Sequence, residues 1–163
     1  MCIRDSAMAV GLATLQVIEE EGLVKNAELQ GQKLLAGLKE LQASFPLIKE
    51  VRGKGLMIAV EVQPPKGLWG RISGALMGAL SGGLLAQAFV VPLMNDYRIL
   101  TQIGGHGADV IRLLPPLIIG DRETERFLEA FREVLTEANK FPGPIWEIGS
   151  RLAKVALGGS EGA

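Results

Sequence analysis

Residues 110–127 read VIRLLPPLIIGDRETERF, and no other stretch limits the fold of this chain as tightly. An apolar, β-branched run, VIRLLPPLII over 110–119, reads as a strand. Asp121 reads as the N-cap of a helix over 122–140. Phe127, Leu128, Phe131, Val134 and Leu135 recur at helical spacing and give that helix a buried face. A strand feeding an amphipathic helix at once calls for a sheet with helices laid on it. Arg112 sits inside the strand, with the rigid Pro115-Pro116 pair after it. A charge in such a run costs free energy unless a partner meets it. The guanidinium offers a fixed fork that fits a carboxylate through two parallel hydrogen bonds. On the residues alone, two readings stand level: a grip on an acid substrate, and an ion pair with a local glutamate.

The rest of the chain supplies the other layers. Residues 7–21 read as helix through Leu12, Leu15 and Ile18, and Gly22 breaks it. Residues 23–43 resume the pattern with Leu23, Ala27, Leu34, Leu38 and Leu41, and Phe45-Pro46 stops it. LMIAVEV, residues 56–62, suits a buried strand, and Arg52-Gly53-Lys54-Gly55 lets the backbone bend before it. Residues 68–91 carry a single charge, Arg71, and glycines at 70, 74, 78 and 82. That period makes a smooth stripe along a helix. It suits a buried helix with a close neighbour better than a membrane span, because Gly82-Gly83 interrupts it, Gln87 is polar and no basic cluster flanks it. Residues 93–103 read as a strand, GGHGAD as a loop, and residues 142–163 as a short helical extension with a glycine-rich, disordered tail. Three strands among helices predict an α+β layer rather than a doubly wound sheet.

Composition excludes several functions. With 17 basic and 18 acidic residues in 163, the chain has no basic surface for nucleic acid. Cys2 is the single cysteine, so neither an internal disulfide nor a cysteine metal cluster forms, and a cytosolic compartment fits. MCIRDS, residues 1–6, lacks the apolar core of a signal peptide and reads as foreign or disordered sequence. On that reading the chain is the tail of a longer protein. No nucleophile motif, phosphate loop or dinucleotide fingerprint is present. His106 is the one histidine; a loop histidine of this kind either touches a ligand or simply faces solvent.

Three pieces, in order, resemble the C-terminal part of class III aminotransferases, the pyridoxal phosphate enzymes of fold type I that include acetylornithine, ornithine and 4-aminobutyrate transaminases. They are ATLQVIEEEGLVKNAELQGQKLLAGLKEL, VRGKGLMIAVEV and, most specific, VIRLLPPLIIGDRETERFLEAFREVL; together they cover roughly residues 7–139. The resemblance implies a three-stranded antiparallel sheet with helices packed on it, the family's small C-terminal domain, over 46–141. Linking helices from a missing large domain would precede it over 7–45. It implies that Arg112 binds a substrate carboxylate or pairs with an active-site glutamate outside the chain; His106, in the GGHG stretch, remains a possible active-site loop residue on the residues alone. It implies an enzyme that moves an amino group from an amino acid or amine to a 2-oxo acid with pyridoxal 5'-phosphate, as a cytoplasmic homodimer, without nucleic acid or membrane. Lys25, Lys33, Lys39, Lys49, Lys54, Lys66, Lys140 and Lys154 do not match the family's Schiff-base lysine motif. The resemblance therefore assigns no catalytic, cofactor-binding or metal-binding residue to this chain, which on that reading is inactive alone. Outside the resemblance, the competing reading is a membrane-associated or oligomerising module built on residues 68–91.

Overall fold

The computed structural model describes residues 3–64, 84–104 and 109–139. Among these, helix α1 (Ile3–Glu20) leads into α2 (Leu23–Ser44), followed by strands β1 (Ile48–Lys54) and β2 (Met57–Val62). Helix α3 (Leu84–Asn95), the short β3 (Gln102–Ile103), β4 (Val110–Leu113) and helix α4 (Asp121–Ala138) complete the order. The strands form one sheet in the order β1-β2-β4-β3, with every neighbouring pair antiparallel.

The α+β class and the antiparallel sheet are as expected, but the sheet has four strands rather than three. The additional strand is β1. Its outward positions are Lys49, Glu50, Arg52 and Lys54, and a register shift between Ile48 and Glu50 breaks the alternation. Only Ile48 and Val51 are buried, too few to mark a strand by period. The stretch taken as a bend is instead the end of a hairpin. Lys54 pairs with Met57 across Gly55 and Leu56, and Gly55 has φ +54°, which glycine adopts freely.

Two further boundaries differ. Residues 93–95 finish helix α3 instead of opening a strand, and only Gln102–Ile103 pair. The helix runs through Pro92, whose carbonyl accepts the Asp96 N–H at 2.9 Å. The last strand stops at Leu113, so Leu114 to Gly120 form a turn region closed by the Ile119 N–H on the Pro116 carbonyl. Gly120, not Asp121, is the N-cap of α4, and the Glu123 carboxylate accepts the Gly120 N–H at 3.2 Å. Helix α1 takes in Ile3–Ser6, which the sequence sets apart from the fold. Most of the glycine stripe of 68–91 and the extension of 142–163 lie outside the described residues.

The sheet buries one face. Ile58, Val60, Val62, Ile111 and Leu113 point to a core shared with Leu34, Leu38 and Leu41 of α2, Phe89 and Leu93 of α3, and Phe131 and Leu135 of α4. The Phe127 and Phe131 rings stack at 5.6 Å, and Phe89 meets Phe131 at 6.4 Å. Gln30 and Thr124 are buried polar residues that satisfy each other: the Thr124 hydroxyl donates to Gln30 Oε1 at 3.0 Å. Gln30 Nε2 in turn donates to Asp121. The Asp109 carboxylate accepts the Leu85 and Ala86 N–H groups at 3.1 and 3.2 Å, capping α3 from the start of β4. By contrast α1 buries nothing, and Leu12 and Leu15, which recur at helical spacing along it, are 65% and 60% exposed.

Helix α2 meets the hairpin turn so closely that a β-carbon on Gly31 would lie 2.2 Å from the Gly55 carbonyl oxygen. Backbone cannot swing aside as a side chain can. Gly31→Ala is expected to cost about 1–3 kcal/mol in urea unfolding. Gly11→Ala, where a β-carbon meets nothing within 4 Å, is the control and should lose none.

Asp121 predicts the acid limb of stability. The hydrogen bond from Lys33, and then that from Gln30, hold its carboxyl below the ordinary range. Glu61 is shifted the same way by Lys49 and Arg52. A carboxylate with a depressed folded pKa contributes stability above its unfolded value of about 3.9–4.3 and loses it as pH falls through the folded value. Urea midpoints should therefore fall from pH 5 to pH 2, and Asp121→Asn should make the fall shallower.

Candidate functional site

The outer face of the sheet is polar, and its register determines which charges can meet. Arg52, Ala59, Arg112 and Gln102 lie opposite one another in one row across all the strands. Residues directly opposite share a face. The acids on that face are Glu50 and Glu61. Arg52 bonds both, at 2.8 and 3.0 Å, and Lys49 takes the other oxygen of Glu61. Both carboxylates are thus used by neighbours nearer than Arg112. Among the described residues Arg112 forms no ion pair and no side-chain hydrogen bond, and it is exposed. The local ion pair that the sequence left open is absent from those residues.

Several elements position this guanidinium. Its stem runs over Gly104, where a β-carbon would come 3.0 Å from Arg112 Cγ and 3.1 Å from Cδ. The Gly104 N–H bonds the Val110 carbonyl at 2.6 Å, which closes β3 onto β4 beside it. On the other side Asn26 of α2 reaches across and donates to the Leu117 and Ile119 carbonyls at 2.7 and 2.9 Å. The turn that carries Pro115-Pro116 is therefore tied to α2.

Arg112 lines a cavity of about 690 Å³ between the 98–102 segment, the end of β4 and the start of α4. Its walls are largely aliphatic and aromatic, including Leu34, Leu113, Pro115, Ile119 and Phe127. Arg98, Thr101, Glu123 and Arg126 are its other charged or hydroxyl-bearing residues. Arg126 donates to the Tyr97 carbonyl at 3.1 Å, and Glu123 accepts from Gly120. The Tyr97 hydroxyl donates to Glu133 at 2.6 Å, which with burial pushes the phenol up to about 12, so it stays protonated and keeps the 96–99 turn on α4. An apolar chamber with excess positive charge suits a carboxylate joined to a short carbon skeleton. None of Arg98, Thr101 or Arg126 stands out in the sequence, because none interrupts an apolar period as Arg112 does. His106 lies outside the described residues.

The described residues hold no cluster of metal-ligating side chains. No helix among them is long and apolar enough to cross a membrane.

Comparison with known proteins places the chain in a family. The family model described as aminotransferase class-III matches residues 5–135, and the chain belongs to that family. A diaminobutyrate–2-oxoglutarate aminotransferase of Rhizobium meliloti is 42% identical over 120 residues, covering 74% of this chain and 24% of the relative. A 5-aminovalerate aminotransferase of Pseudomonas putida is 37% identical over 131 residues, covering 80% and 28%. The crystal structure of an omega transaminase from Pseudomonas jessenii in complex with PMP superposes with a TM-score of 0.67 at 32% identity, over 85% of this chain and 28% of that one. The chain spans about a quarter of the length of the curated relatives it matches.

Class III aminotransferases depend on pyridoxal 5'-phosphate. That cofactor needs a lysine and a phosphate cradle, and among the described residues no lysine lines the Arg112 cavity. Lys33 and Lys49 are committed to Asp121 and Glu61.

Proposed function

We propose that this chain supplies the small, acid-gripping part of a pyridoxal phosphate-dependent aminotransferase, of the acetylornithine, ornithine or 4-aminobutyrate transaminase kind. The enzyme moves an amino group from an amino acid or amine to a 2-oxo acid, in the cytoplasm and as a homodimer. The cofactor lysine lies outside these 163 residues, so the chain alone is inactive. One observation carries the reading: Arg112 is held on a stiff strand end, beside an apolar cavity, with every acid of its own sheet face among the described residues already paired. Its fork would hold the substrate carboxylate, and the prolines and Asn26 would keep the fork still. The cavity walls would exclude water around the carbon skeleton and strengthen that bond.

Borohydride reduction of the intact aminotransferase, followed by peptide mapping, tests the division of labour. The cofactor label is expected on a lysine outside these residues. A label on any lysine of this chain, or no label at all, contradicts the proposal.

A further inference from the structure

Gly104 lies where the Arg112 side chain has to pass. It follows β3 at the level of Val110, whose carbonyl accepts its N–H at 2.6 Å. Gln102 pairs with Arg112, and Gly104, two residues on, shares the outer face of the sheet with both. It is buried. A β-carbon on it would come 3.0 Å from Arg112 Cγ and 3.1 Å from Cδ, while Val110 Cγ1 would stay at an ordinary 3.4 Å. The arginine stem therefore lies in space that a side chain at 104 would need. Because its hydrogen bond to Val110 holds the Gly104 backbone on β4, the stem is what would give way.

Across β4 stands an acid. Strand β4 runs between β2 and β3. On β2, Glu61 pairs with Val110 and Ala59 pairs with Arg112. Glu61 and Gly104 are thus the two diagonal neighbours of Arg112 at the level of Val110, one on each flanking strand. Diagonal neighbours lie about 7–8 Å apart, which a long side chain spans. Glu61 bonds Lys49 through one oxygen and Arg52 through the other. A carboxylate has about four acceptor sites, so those two bonds leave room for a third cation. Ala59, between Glu61 and Arg112 on that side, is too small to bar the way. Yet among the described residues Arg112 pairs with no acid. The lean of its stem over β3 accounts for this.

We propose that Gly104 is a positioning residue for Arg112. By offering no β-carbon it lets the stem lie over β3, out of reach of Glu61, and so leaves the guanidinium open to a ligand carboxylate. The inference rests on the reading of Arg112 as a carboxylate grip, and adds the residue that keeps the grip free. A β-carbon at 104 pushes the stem off β3 into another staggered rotamer. Towards β2, the acid that meets it is Glu61. The competing role is a glycine that serves only to close β3 onto β4. Alanine keeps the N–H that makes that closure, and a purely structural loss does not depend on Glu61, so the two roles separate.

The test uses the ¹⁵N-labelled 163-residue chain with acetate as the probe, read at the Arg112 side-chain Nε–H. Gly104→Ala is expected to weaken acetate about tenfold or more, the scale of one lost charged hydrogen bond. In that variant, and not in the unchanged chain, Glu61→Gln should move the Arg112 resonance and restore most of the affinity. Unfolding constants give a second measurement that stands even where Gly104→Ala alone folds poorly. The substitution should cost about fivefold or more with Arg112 present and about twofold or less in the Arg112→Ala background, the signature of two residues in contact. Unchanged acetate affinity in Gly104→Ala overturns the proposal, as does a loss that Glu61→Gln fails to restore, or an equal unfolding cost in both backgrounds. If the unchanged chain shows no saturable acetate shift, the reading of Arg112 as a carboxylate grip fails instead. The role of Gly104 is then decided by the Arg112 resonance of Gly104→Ala alone: movement on Glu61→Gln supports it, and none overturns it.

Discussion

Replacing Arg112 with alanine in the intact aminotransferase is expected to lower kcat/KM for its acid substrate by about tenfold to a hundredfold. The scale follows from one charge-assisted hydrogen-bonded contact, about 1.5–3 kcal/mol, lost from the transition state as well as the bound substrate. Fold stability should stay within about 0.5 kcal/mol, the usual range for an exposed position without special contacts. That combination is informative because the guanidinium has no acid partner among the described residues. A structural arginine behaves in the opposite way: its removal leaves a carboxylate unpaired and lowers the urea midpoint. Arg112→Lys should recover part of the activity, since the charge remains while the two-pronged geometry does not. An unchanged KM and kcat after Arg112→Ala would point to a chain that serves only dimer contacts.

Phe131→Ala is expected to have the largest effect on the fold, about 3–5 kcal/mol by urea denaturation. The side chain is fully buried, stacks on Phe127 and meets Phe89, so it joins α4 to α3 beneath the cavity. Removing it leaves a void between helices whose positions also fix Glu123, Arg126 and the 96–99 turn. Because single domains are stable by only about 5–15 kcal/mol, much of the margin disappears. Phe131→Leu, which keeps most of the volume, should cost far less. Equal losses in the two variants would show that the ring contacts, not the volume, hold the helices together.

The amphipathic helices were legible because their buried positions recur at three and four residues: Leu34, Leu38 and Leu41 in α2, Phe127, Phe131, Val134 and Leu135 in α4. Strand β2 was legible for its β-branched residues. Strand β1 was hidden by charges that make sense only across the sheet, where Arg52 meets Glu61 of the next strand. Helix α3 passed for a strand at its end because proline in a helix removes one donor without forbidding the turns on either side. The Asp121 cap was misplaced by one residue, since Gly120 caps with its backbone alone while Asp121 turns to Gln30 and Lys33. At the site, Arg112 announced itself as a lone charge in an apolar strand. Arg98, at φ +58°, could not, because a left-handed φ leaves no trace in the residue type when the residue is arginine. Asn26 and Asp109 were equally silent: each works on backbone groups far away in sequence, and only the fold brings those groups within reach.

The guanidinium of Arg112 can be observed directly. Its side-chain Nε–H resonance, assigned in a ¹⁵N-labelled chain by loss in Arg112→Lys, should shift saturably on titration with a carboxylate ligand. It should stay unmoved when Glu50 or Glu61 is replaced by glutamine. A resonance indifferent to carboxylates, yet displaced by either glutamine substitution, would mean that the arginine is paired within its own sheet and grips nothing beyond it.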